Sequence, residues 1–157
     1  MTARPVAPRI EPVRKSIVVA RPAAEAFAIF TERMEFWWPF ASRSIFEERA
    51  RAVEFEPRVG GQVSEVSRDG ERAPWGTLLA WDPPRRFAMT WHPGRDTETA
   101  QELEVRFVPV AGGTRVELEH RGWERLLERA VETRGGYESG WEIVLAGYVA
   151  ACARGEQ

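Results

Sequence analysis

Two histidines, one cysteine and a pair of carboxylates spaced for one helix face are the residues whose types could do chemistry in this chain. His120 ends an alternating run in which Val116, Leu118 and His120 share one phase against Arg115, Glu117, Glu119 and Arg121. That phase puts the imidazole on the buried face. There it needs a partner, and it can act as acid, base or ligand anchor, or remain a core histidine bonded to backbone. His92 has the opposite phase to Phe87, Met89 and Trp91 and precedes Pro93-Gly94, so it is expected at the surface of a strand end. Cys152 sits in the last turn of an apolar helix with no histidine beside it and reads as a small buried hydrophobe. Two histidines so placed and one distant cysteine lack the number and spacing of a zinc site, so no metal and no cofactor is expected. Glu138 and Glu142, four apart on one helix face, are explained by the helix dipole. Gly60-Gly61 and Gly112-Gly113 match neither phosphate-loop pattern and read as turns.

Aromatic side chains are the other resource. The chain holds 7 tryptophans, and such residues line apolar ligand sites as well as cores. Trp37-Trp38 lies in a short helical segment suited to a pocket mouth. Trp75 and Trp81 share one phase of their strand, while Gly76, Leu78 and Ala80 share the other. Both phases are apolar, so one set must be exposed or covered by a partner, which points to a homodimer surface.

The elements that position these residues follow from periodicity. Residues 1–13 carry Pro5, Pro8 and Pro12 and no pattern, and read as an extended or disordered arm. Residues 14–157 then form one domain. Arg14 to Ala20 is the first strand; Ala24, Phe27, Ala28, Phe30 and Thr31 follow at helical spacing, and a second short helical piece covers Arg33 to Trp38. Six further strands are punctuated by Gly60-Gly61, Asp69-Gly70, Asp82-Pro83-Pro84, Pro93-Gly94 and Gly112-Gly113, so the sheet should be antiparallel. A loop with a short helical piece is expected over Arg121 to Arg134. From Gly136 to Ala153 a last helix shows Trp141, Val144, Leu145, Tyr148, Ala151 and Cys152 on one face, with Gly135-Gly136 marking its start. Between Glu142 and Arg154 it carries no charge, so it should be covered on more than one side.

Composition removes several function classes. Net charge is -2 with a pI near 5.8, leaving no basic footprint for nucleic acid or an acidic membrane. A lone cysteine forms no internal disulfide. No apolar run reaches the length of a membrane span or a signal-peptide core, so the expected location is the cytoplasm.

Several short pieces in order carry a resemblance. They are Val19-Ala20-Arg21-Pro22-Ala23-Ala24-Glu25-Ala26-Phe27, Trp37-Trp38-Pro39, Pro57-Arg58-Val59-Gly60-Gly61, Trp75-Gly76-Thr77 and Trp81-Asp82-Pro83-Pro84-Arg85-Arg86-Phe87 with Thr90-Trp91. Gly112-Gly113-Thr114, His120-Arg121-Gly122 and Gly140-Trp141 with Leu145 complete them. Over roughly Lys15 to Ala153 the chain resembles the helix-grip (START-like, birch-pollen-allergen-like) superfamily. Within it the branch is similar to the activator of the heat-shock-protein-90 ATPase. That resemblance implies a cavity between sheet and helix in a small-molecule binder, with cyclases and lipid carriers among related branches. The eukaryotic activator has an additional N-terminal domain that binds the chaperone, for which this chain has no room.

The fold expected is therefore α+β: a curved seven-stranded antiparallel sheet around a long C-terminal helix, with two short helices between strands 1 and 2. The function expected is binding of a small apolar or aromatic ligand between sheet and helix. The candidate contacts are His120, Tyr148, Trp38, Phe55, Phe107, Leu118 and Val144. The alternatives are a cyclase- or hydrolase-like enzyme using His120 as acid–base in the same cavity, and a chaperone-associated partner-binding module. Small residues on the helix, Ala146, Gly147 and Ala150 among them, are expected to leave the void, and leucine at 147 or 150 to fill it.

Overall fold

Each alternating run of the sequence finds an antiparallel neighbour. In the computed structural model, which describes residues 10–154, the strands are β1 (Val13–Val19), β2 (Ala50–Phe55), β3 (Gln62–Ser67), β4 (Arg72–Asp82), β5 (Arg86–Trp91), β6 (Gln101–Val110) and β7 (Gly113–Arg121). They form one sheet in the order β1-β7-β6-β5-β4-β3-β2. The first helix, α1 (Ala23–Glu32), and a 3-10 turn at Met34–Phe36 close one end, and α2 (Ala130–Arg154) lies in the curve of the sheet. This is the α+β element order that the periodicity predicts, in the helix-grip arrangement that the resemblance implies. Of the expected arm, residues 1–9 lie outside the described residues. Val13 already belongs to β1, pairing with His120, and the backbone oxygens of Glu11 and Pro12 accept hydrogen bonds from Arg134 on α2.

The last helix is longer than its spacing suggests. It begins at Ala130 and runs straight through Gly135 and Gly136, which are interior helix residues. What stops it on the N-terminal side is Leu127, whose φ of 56° and ψ of -125° break it from the 3-10 segment Trp123–Arg129. Packing of Ala130 and Tyr137 into the core outweighs the poor helix propensity of two glycines. Glu138 and Glu142 are consequently mid-helix, not at its positive end. They bracket Lys15 of β1 at 3.6 and 3.7 Å instead. A Cβ added at Gly135 or Gly136 meets nothing within 4 Å. Gly135→Ala and Gly136→Ala should therefore each stabilise the protein by about 0.5–1 kcal/mol, read as a raised urea midpoint; a fall would mean that these positions are not helical in solution.

Strand β4 does not keep one phase. Trp75 is an extra residue against β3, where Gly76 pairs with Val63 and Pro74 with Ser64. Leu79 is extra against β5, where Leu78 pairs with Met89 and Ala80 with Ala88. Each bulge shifts the alternation by one. Trp75, Leu78 and Trp81 thus all turn inward at a spacing of three, Trp81 onto Phe27 and Phe55. Neither tryptophan is left for a dimer surface, and that argument for a homodimer falls. Between the bulges β4 presses on β5 so closely that a Cβ at Gly76 would stand 1.7 Å from the Thr90 carbonyl oxygen.

The middle of the grip is filled. Tyr148 packs on Phe30 and Trp37, and its hydroxyl donates to the Ala26 carbonyl at 2.8 Å. Ala146 and Ala150 face solvent, and a Cβ at Gly147 would lie 2.7 Å from the Trp37 carbonyl oxygen. The void expected along this stretch of helix is absent. Leucine at 147 would clash with backbone, and leucine at 150 would point away from the core.

A tryptophan-lined cavity as the candidate functional site

The open space lies toward the N-terminal half of α2. There the chain from Pro39 to Phe46 runs as turns and bends with no regular helix, before a 3-10 turn at Glu47–Arg49. Between this loop, the inner ends of β4 and β5 and the helix is a cavity of about 630 Å³. Its walls are Trp38, Trp75, Trp91, Tyr137, Trp141 and Val144; Arg43, Arg95 and Arg129 stand among its more polar lining.

Indole rings 4.8 to 5.9 Å apart make the floor, running Trp38 to Trp75, Trp75 to Trp91, Trp91 to Trp141 and back to Trp38. Every one of their N–H groups is already used within the protein. Trp38 donates to the Arg43 carbonyl at 2.8 Å, Trp75 to Glu65 at 3.0 Å, Trp91 to the Tyr137 hydroxyl at 3.0 Å and Trp141 to His120 Nδ1 at 3.0 Å. What remains for a ligand is ring face and hydrocarbon edge, a surface suited to stacking.

Glu65 shapes the cavity without lining it. It is 0% exposed, and its carboxylate accepts from the amides of Ile45 (2.9 Å) and Phe46 (2.7 Å) as well as from Trp75. One buried carboxylate thereby ties the loop to the floor. Sequence reasoning passed over it; the available signal was a single charge in the middle of the uncharged run from Gln62 to Ser67.

His120 is a structural residue. It is 0% exposed, and because an indole N–H can only donate, Nδ1 is the acceptor from Trp141. The proton then sits on Nε2, facing Gln101 Oε1 at 3.2 Å. Rings of Trp123 and Tyr137 enclose it at 4.1 and 4.9 Å, and burial drives its pKa down to about 3. Both nitrogens are occupied and no face opens on the cavity, so acid–base work by His120 has no geometry behind it. His92, expected at the surface, is 7% exposed; its amide donates to the Trp75 carbonyl where β4 bends in, which draws the strand end under cover. Cys152 is buried, and burial raises its thiol pKa.

Of the ligand contacts expected from the sequence, Trp38 and Val144 line the cavity. Tyr148, Phe107 and Leu118 belong to the filled core, and His120 is fully buried among aromatic rings. Phe55 packs beside Trp81 and Phe87 and, with Trp81, lines a separate hollow of about 410 Å³ that none of the four floor tryptophans reaches. Trp75, Trp91, Tyr137, Trp141 and the three arginines were missed as lining, since their convergence depends on the bulges of β4 and the loop that Glu65 holds. Among the described residues no group of three or more histidine, cysteine, aspartate or glutamate side chains could hold a metal ion, and no helix is long and apolar enough to cross a membrane.

Sheet, gripped helix and aromatic cavity together define a helix-grip domain, the class to which the comparisons also lead. Residues 20–151 match the family described as activator of Hsp90 ATPase homolog 1-like protein, and the chain belongs to that family. No curated protein matches it. Among solved structures, a protein from Mesorhizobium loti is similar at 16% identity with a TM-score of 0.70, over 94% of this chain and 100% of that one. The Aha1 dimer from Colwellia psychrerythraea is similar at 12% identity and a TM-score of 0.69, again over 94% and 100%. An anthrahydroquino-γ-pyrone synthase, solved in complex, shares 40% identity over 79% of this chain and 84% of that one, with a TM-score of 0.56.

Proposed function

We propose that this protein binds a flat, fused-ring aromatic small molecule in the cavity between sheet, loop and α2. The observation that carries the reading is the floor of four indoles whose N–H groups are all satisfied internally, so that only stacking surface faces the space. A volume near 630 Å³ fits a ligand of several fused rings. The solved structure at 40% identity is named for an aromatic ring system of this shape, which supports the same class of ligand here.

That relative is also named a synthase, and this favours a second reading, ring closure on the bound compound. Tyr137 is the residue placed for it. Its oxygen accepts from Trp91, which fixes the ring and leaves its own proton free to donate to a ligand oxygen.

Gly136 gives the test. It lines the cavity, and a side chain there meets open space. Anthraquinone titrated into the wild type should quench tryptophan fluorescence with a micromolar Kd, about 8 kcal/mol of binding free energy. Gly136→Leu should weaken that binding at least about tenfold by occupying the space, with no loss of thermal stability. Unchanged affinity would place the ligand elsewhere, and no binding to the wild type would reject the reading.

A further inference from the structure

Most arginines among the described residues face carboxylates: Arg14 meets Glu119, Arg72 meets Glu54, and Arg86, Arg106 and Arg121 converge on Glu104. Arg43, Arg95 and Arg129 do not. Among the described residues no carboxylate oxygen lies within 4.0 Å of any of them. All three line the tryptophan cavity, and they arrive from separate parts of the chain: the loop after α1, the connection between β5 and β6, and the turn before α2. Arg43 is laid against the helix at Gly140, where a Cβ would come within 3.3 Å of its guanidinium. The lining offers one carboxylate in return, Glu132. Three cations against one anion is a local reversal of sign, because the whole chain is net negative at -2.

We infer that the ligand of this cavity is an aromatic anion, a fused ring system bearing a carboxylate or an ionised phenol, with Arg43, Arg95 and Arg129 as its counter-charges. This rests on the small-molecule reading above and adds the ligand's charge to it. The physical division is simple. Indole faces take the rings, and guanidinium groups present forked donors that match a carboxylate or phenolate oxygen. Each arginine alone is exposed and worth little in water, but three converging over an apolar floor set a positive potential where the ring's substituent must sit. An overall acidic protein gives no general attraction for anions, so a preference for them needs a local source such as this cluster.

Two probes of one shape separate charge from stacking: anthraquinone carboxylate and neutral methylanthraquinone, each titrated into the full chain with tryptophan fluorescence as readout. The carboxylate should bind about tenfold tighter or better at low salt. Its advantage should shrink several-fold near about 0.5 M sodium chloride, as screening shortens the reach of the charges. Arg95→Gln and Arg129→Gln should each reduce the advantage, weakening the carboxylate several-fold more than methylanthraquinone. Arg33→Gln removes an arginine that likewise lacks a carboxylate partner but lies outside the lining, and should change neither affinity. Equal binding of the two probes, or tighter binding of the neutral one, overturns the anion inference while the aromatic-cavity reading stands. A preference that survives both arginine substitutions overturns the assignment of these residues. Binding of neither probe rejects both inference and reading.

Discussion

Trp141→Ala should lower the unfolding free energy by about 3–5 kcal/mol, the range for deleting a large aromatic from a core. Trp141 is 2% exposed and stands where α2 meets the sheet, with Trp38, Trp91, Tyr137 and His120 around it. Its truncation removes more than volume, since His120 Nδ1 loses its only donor in a place water does not reach. Trp141→Phe separates the two effects. It keeps most of the packing but orphans the imidazole nitrogen, and should cost about 1–3 kcal/mol through that lost bond. Urea denaturation of the three proteins checks this. A midpoint for Trp141→Ala within error of the wild type would show that the sheet does not grip the helix there.

Acid should weaken the fold well before its carboxylates are protonated. His120 has a folded pKa of about 3 because burial excludes its charged form, whereas an unfolded histidine titrates near ~6.5. The unfolded chain therefore takes up a proton that the native state refuses. The stability held by the neutral imidazole is fully present above ~6.5 and is lost as pH falls toward 3, at about 1.4 kcal/mol per pH unit and roughly 4–5 kcal/mol over the window. Glu104 works in a lower range. Burial alone would raise its pKa, but the hydrogen bond from Arg121 and the charges of Arg106, Arg121 and Arg86 together depress it. Its contribution is present above the unfolded value near ~4.3 and fades only below it. Unfolding free energies measured between about pH 6.5 and 5.5 are thus dominated by the histidine. A slope close to one proton is expected for the wild type, reduced by that amount in His120→Gln. A flat wild-type profile would mean that the imidazole is not sealed.

How far the sequence could be read depended on whether neighbours along the chain or across the fold decide a feature. Strand and helix order follow from local spacing, and the turn signals Gly60-Gly61 and Asp69-Gly70 bracket β3. Gly135-Gly136 misled because propensity is a weak local preference, overridden by the burial of Ala130 and Tyr137. Trp75 and Trp81 could not be assigned to a face because two bulges in β4 reset the phase, and bulges leave no mark in a period-two pattern. The candidate site suffered most. Tyr148 and His120 carry polar atoms on inward faces, as a binding residue would, but Ala26, Trp141 and Gln101 already satisfy them from distant positions. Where space remains open is set by how large side chains from remote elements meet, and periodicity cannot report that.

The grip of Glu65 on the loop has a consequence for how such a site can change over time. The carboxylate holds the amides of Ile45 and Phe46, which any residue but proline would supply, and Ser44 is the loop residue whose side chain also fixes the path, donating to the Phe40 carbonyl and accepting from the Glu47 amide. Residues 42–45 form part of the cavity wall, yet the sheet and α2 bury their own core without them. Heritable variation at positions 42, 43 and 45 can therefore reshape the cavity wall by small steps while the frame goes on folding as before.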